Sequence, residues 1–117
     1  MVKQAELDSK YAAIEAANGF PWPTLPVDLD DRKSQAFIKE LNQRLVTELF
    51  ECMECLKNKA WKETHMPTDK DHFFEELSDA LHFFLELINA VGLTPDQLYR
   101  LYWAKHQVNR FRQESHY

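Results

Sequence analysis

Two runs of this sequence carry carboxylates at a spacing that lets them share a metal ion. Glu48, Glu51 and Glu54 lie in the first run, and Glu75, Glu76 and Asp79 in the second. Residues three apart on a helix lie about 60° apart around its axis, so Glu48 with Glu51, and Glu76 with Asp79, each put two carboxylates on one face. Four anions within about 5 Å repel by roughly 3 kcal/mol per pair at an effective dielectric near 20. Summed, that rivals the whole stability of a small domain, so a cation is expected among them. Magnesium suits an all-oxygen site that also takes substrate phosphates, and manganese is its natural substitute. Carboxylate-held divalent ions polarise phosphoryl oxygens and activate water, which favours phosphoanhydride over carbonyl chemistry. A solvated helix face also produces E-x-x-E; two such pairs on successive helices, each flanked by apolar residues, favour the metal.

Complementary charge comes later in the chain. Tyr102, Lys105, Asn109 and Arg112 follow at spacings of three and four, a stripe of donors suited to phosphate oxygens or to water on an exposed face. Trp22 and Trp61 are candidates to pack over a planar base, or to sit in a core. Asp79-x-x-His82 is a single D-x-x-H, and His65, His72, His106 and His116 have no partner spacing, so the histidines read as structural or exposed. Cys52 and Cys55 spell C-x-x-C, but there is no second copy, and within a helical pattern the pair reads as two reduced cysteines.

The elements that must position these groups are helical. The chain has only two glycines, and its apolar residues recur at three and four with no strand-like alternation. Four helices are expected. The first spans about Glu6 to Ala17 and closes at Asn18-Gly19, followed by a proline-stiffened extended loop from Phe20 to Pro26. The second starts at Asp31 or Ser34 and runs to about Trp61, with Phe37, Leu41, Leu45, Leu49, Met53 and Leu56 as its apolar stripe. The third spans about Asp69 to Val91, stops at Gly92, and carries Phe73, Leu77, Leu81, Phe84 and Ile88. The fourth starts with Thr94 as N-cap, Pro95 at the first helical position and Gln97 completing a capping box, and reaches about Arg112. If the stripes of the second and third helices meet, the four carboxylates converge at the edge of their interface.

With 117 residues the chain is expected to form one domain, residues 1–117. Its 13% aromatic content, eight Phe included, is more apolar surface than a small monomer readily hides, so a partner subunit is expected. A net charge of -5 argues against duplex nucleic acid as a ligand. No signal-type apolar segment and no membrane-spanning run are evident, so the expectation is a soluble protein of the cytoplasm, bacterial or of a phage host.

Taken in order, these residues resemble the dimeric all-α dUTPases, relatives of the MazG-type nucleotide pyrophosphatases and of phage dCTP/dUTP pyrophosphatases. The resemblance runs through Asn18-Gly19 with Trp22, Glu48-x-x-Glu51, Trp61-Lys62, the run Glu75-Glu76-Leu77-Ser78-Asp79-Ala80-Leu81-His82-Phe83, and Tyr102-x-x-Lys105-x-x-x-Asn109-x-x-Arg112-Gln113 near Tyr117. It departs at Asn58, where the pattern has an aromatic residue, and at His106, where relatives often have Asn. The resemblance implies a four-helix-bundle-like fold and cleavage of dUTP, with dCTP or dUDP as further substrates, to the monophosphate, with pyrophosphate released from a triphosphate. It implies two or more magnesium ions on Glu48, Glu51, Glu76 and Asp79, and a base pocket near Asn18 and Trp22. It also implies substrate contacts from Trp61, Lys62, Tyr102, Lys105, Asn109 and Arg112, and a homodimer or higher homo-oligomer with sites shared between subunits. Two alternatives stay open: a MazG-like enzyme for a purine nucleotide such as dGTP, and a non-catalytic helical interaction module. A redox di-metal carboxylate protein would need E-x-x-H on two helices, which this sequence lacks.

Overall fold

The computed structural model describes residues 2–115, and the expected terminal Tyr117 lies outside them. They form α1 (Val2–Ala17), α2 (Arg32–Glu54), α3 (Lys70–Ala90) and α4 (Pro95–Glu114), with no strand among the described residues. The chain is all-helical. Each start has a local cause. Asp31 accepts from the Ser34 amide at 3.0 Å, Asp69 from the His72 amide at 3.1 Å, and Thr94 and Gln97 complete the expected capping box at 3.2 and 2.9 Å. Both expected stops on glycine, after α1 and after α3, also hold. Gly19 and Gly92 have φ of 87° and 81°, and the amides of Phe20 and Leu93 reach back to Glu15 and Ile88, the bonding that closes a helix on a left-handed residue. Gly92 has a second reason to be glycine, because a Cβ there would stand 2.7 Å from the Pro26 Cβ. The proline loop docks at this point, its Val27 amide donating to the Ala90 carbonyl at 2.9 Å.

α2 is shorter than expected. It ends at Glu54 rather than near Trp61, with the Cys55 and Leu56 amides turning back to Cys52 and Met53. The cause is Asn58, whose carboxamide both donates to the Met66 carbonyl and accepts from the Met66 amide, each at 2.7 Å. Those bonds draw the chain out of the helical path and leave Trp61 in a loop, 77% exposed.

α2 and α3 pack antiparallel, as the pairing of Arg44 with Glu86 and of Glu48 with Glu76 and Asp79 requires, and α1 lies on α3. The seam differs from the expected one. On α2 it follows Leu41, Leu45, Glu48 and Cys52, and on α3 Glu76, Ala80, Phe83 and Leu87, all buried or half-buried. Met53 and Leu81, expected inside, are 56% and 55% exposed. The expected α2 stripe advanced mostly in steps of four, and each such step drifts about 40° around a helix. Alternating steps of four and three hold one face, and on that face Glu48 and Glu76 fall inside the seam instead of at its edge, while Glu51 stays exposed.

α4 makes no helix-to-helix contact with α1, α2 or α3. Its own apolar stripe, Leu101, Ala104, Val108 and Phe111, is exposed along its length. One chain therefore does not close the expected four-helix bundle. The radius of gyration is 18.3 Å, against about 13 Å for a compact domain of this length. Among the described residues, no helix is long and apolar enough to cross a membrane.

Candidate metal centre

Glu48, Glu76 and Asp79 each turn a carboxylate oxygen to a common point, with the three atoms within 4.8 Å of one another. Glu51, on the exposed side, shares hydrogen bonds with Glu48 and Glu76 and so belongs to the same cluster. All four predicted carboxylates thus come together. Burial in the seam, and then the charge of Glu51, push the Glu48 carboxyl above its ordinary range. Burial and hydrogen bonding to Glu51 do the same to Glu76, with Asp79 adding to the effect. The cationic relief near the cluster is slight: His72 Nε2 stands 3.7 Å from Glu76 Oε1. Glu76 Oε2 is buried with no hydrogen-bond partner.

A buried acceptor left unpaired costs stability unless something electropositive meets it. The donor set here is hard oxygen throughout, the choice of magnesium, manganese or calcium over zinc or copper. The residues fit a divalent ion. The neighbouring cysteines do not compete for it: both are free, burial raises the Cys52 thiol, and Cys55 Sγ donates to the Glu51 carbonyl at 3.5 Å. His82 is held by the Ser78 carbonyl at 2.8 Å.

The other expected residues are more dispersed. Asn18 is exposed at the end of α1, and the Trp22 ring is pinned against Phe37 at 5.2 Å and donates to Glu15 at 2.5 Å. Trp22 borders a groove of about 660 Å³ with Asp8, Ala12, Pro26 and Asn89, and none of the four carboxylates lines it. A smaller cavity of about 190 Å³ does reach the cluster, with Asp79 and His82 at one side and Gln4, Tyr11, Phe83 and Glu86 around it. Trp61 and Lys62 sit in the α2–α3 loop, where Lys59 Nζ lies 5.6 Å from the Trp61 ring centre. Tyr102, Lys105, Asn109 and Arg112 are exposed on α4, which does not pack on the helices holding the carboxylates.

Sequence reasoning missed a buried polar cluster between α1 and α3. Gln4 donates to Asp8 at 2.7 Å and Asn89 to Asp8 at 3.5 Å, while Glu86 shares a hydrogen bond with Asp8. Arg44 reaches it from α2, bonded to Glu15 at 2.5 Å and 4.0 Å from Glu86. Burial, and then the Asp8 charge, raise Glu86 to about 7. The signal was present, since Glu86 is a lone acid between Leu85 and Leu87 in an apolar run.

No family model matches the chain, and no curated protein or solved structure matches it.

Proposed function

We propose that the protein is a magnesium-dependent nucleoside triphosphate pyrophosphohydrolase, acting on dUTP and secondarily on dCTP, as its resemblance to the all-α dUTPases implies. The observation that carries the proposal is the buried, unpartnered Glu76 Oε2 inside a cluster of three carboxylates with Glu51 beside them. Such a cluster is unfavourable as it stands and becomes favourable around a divalent ion and the phosphates it brings. Magnesium bound there would neutralise the phosphate oxygens and make water a better nucleophile at neutral pH. Glu48, Glu76 and Asp79 would hold the ion, their oxygens already gathered within 4.8 Å of one another. Glu51 faces the open side and is the carboxylate positioned to take the proton from an attacking water.

The cavity beside Asp79 supports a single-ring base. Its volume of about 190 Å³ is that of roughly six waters, the scale of one six-membered ring with its substituents. Gln4, which donates one amide hydrogen to Asp8, has its second N–H and its carbonyl oxygen left at the wall, a donor and an acceptor that suit the edge of a pyrimidine. The wider groove at Trp22 is the alternative place for the base, and a purine would need its larger volume.

The stripe Tyr102, Lys105, Asn109 and Arg112 cannot serve the carboxylates of its own chain in this arrangement, and α4 lacks a packing partner there. We therefore include in the proposal a homodimer in which α4 of one copy completes the site of the other. The test is pyrophosphate release from dUTP, dCTP, dTTP, dGTP and dATP with magnesium and with EDTA. Magnesium-dependent release from dUTP or dCTP is expected. Release from a purine nucleotide alone moves the base to the Trp22 groove, and release from none leaves a helical binding module.

A further inference from the structure

Beside the carboxylates, on the side away from the small cavity, an open cleft of about 420 Å³ is lined by Glu51, Glu54, Cys55, Lys57, His72 and Glu76. Lys57 is the lysine on its wall, and it has no hydrogen bond or ion pair with any described residue despite three carboxylates on the same cleft. We propose that Lys57 is a substrate-binding residue for the outer phosphates, and that Asn58 is the positioning residue that keeps it at the cleft. The proposal rests on the nucleotide reading above and extends it to a residue outside every motif that suggested that reading.

The geometry supports both halves. Lys57 lies just past the end of α2, where a chain would ordinarily fray, yet both of its neighbours are tied. The Leu56 amide donates to the Met53 carbonyl at 2.9 Å. The Asn58 carboxamide makes its two 2.7 Å bonds to Met66, closing residues 58–66 into a loop. The backbone at Lys57 is thereby fixed while its ammonium stays unpaired, the arrangement that lets a cation meet an anion with little ordering cost. Exposed on the cleft wall and unpaired with any described residue, Lys57 is available to phosphates that a divalent ion would recruit to the cluster. Lys59 does not compete, because it is engaged with the Trp61 ring.

The experiment is calorimetric binding of inorganic pyrophosphate in excess magnesium, with binding of magnesium alone as the control for folding and for the carboxylate cluster. Lys57→Met is expected to weaken pyrophosphate binding by about tenfold, the worth of one charge-assisted contact, with magnesium binding unchanged. Lys57→Arg should recover most of the loss. Asn58→Ala should weaken pyrophosphate binding by about three- to fivefold alone and add nothing in the Lys57→Met background, since it acts only through that lysine. Wild-type affinity in Lys57→Met would overturn the first half, and a full Asn58→Ala effect in the double variant the second. Turnover of nucleotides is scored separately: a wild-type protein that binds pyrophosphate through Lys57 but hydrolyses no nucleotide would sink the enzymatic reading and leave this site standing.

Discussion

At the level of single residues, the carboxylates were legible because one chemical property and one spacing identify them. Glu48, Glu51, Glu76 and Asp79 followed from i and i+3 on two helices, and the structure brings them together. What spacing left out was burial. Glu76 lies in the seam with an orphaned oxygen, so its charge costs stability unless a cation meets it. This separates a metal ligand from a folding residue. Glu76→Gln and Asp79→Asn are each expected to abolish magnesium-dependent turnover while leaving the melting temperature without metal unchanged or higher. Magnesium at about a hundred times its dissociation constant should stabilise the wild type by about 2.7 kcal/mol and these variants by much less. Thermal melts with magnesium and with EDTA check both; a variant that melts lower without metal and keeps the magnesium response would show the carboxylates to be structural. Lys57 was not legible, since its place depends on how Asn58 ends a helix that the periodicity carried on to Trp61.

Helix starts and glycine stops were readable from short-range chemistry, because caps depend on residues within four positions of each other. The facing of the helices was not, because α2 has apolar residues on more than one side and only the partner decides which side is used. Leu49 and Leu77 were expected inside and are exposed, while Glu48 and Glu76 were expected at the rim and are half-buried. The docking of α1 on α3 has a pH dependence of its own. Glu86 is faced by Asp8 and Glu15 from α1 and by Arg44 from α2, and its carboxyl is raised from 4.5 to about 7. A carboxyl raised on folding binds more protons in the native state, so stability falls as pH rises from about 4.5 to about 7 and is level above that. The whole shift corresponds to about 3 kcal/mol at most, with Arg44 offsetting part of the charged form's cost. Glu86→Gln keeps a donor toward Asp8 and cannot ionise. It is expected to leave stability at pH 5 little changed, to raise it by about 1–3 kcal/mol at pH 8, and to flatten the profile between them. Urea unfolding at the two pH values measures this, and a variant weaker than wild type at pH 8 would mean that ionised Glu86 is held by Arg44.

For the molecule as a whole, the deciding quantity is surface. The chain exposes 9599 Å², where a compact monomer of 13.9 kDa exposes about 6,700 Å². The excess is several times the roughly 800 Å² that each partner buries in an ordinary stable complex, and it falls in the range of obligate dimers. Apolar side chains on several helices contribute to it. Val108 and Phe111 on α4, Phe50 and Met53 on α2, and Leu81 on α3 are all between 44% and 68% exposed. Burying such side chains contributes about 1.5–3 kcal/mol each, enough to offset the cost of association. A second copy that brings its α4 would cover this surface and carry Lys105 and Asn109 with it. The expected result in sedimentation at about 10 μM, a concentration at which interfaces of this size are normally occupied, is a mass of two chains or a multiple. Val108→Asp with Phe111→Asp should shift it to one chain, and should lower turnover far more than a surface substitution would, because the donor stripe leaves with the partner. Turnover and stability move together in that case, so the discriminating sample mixes the α4 double variant with Asp79→Asn protein. If sites are shared, a hybrid dimer pairs an intact carboxylate cluster with an intact α4 and regains activity that neither parent has. A mixture as inactive as its parents would place all the working residues in one chain.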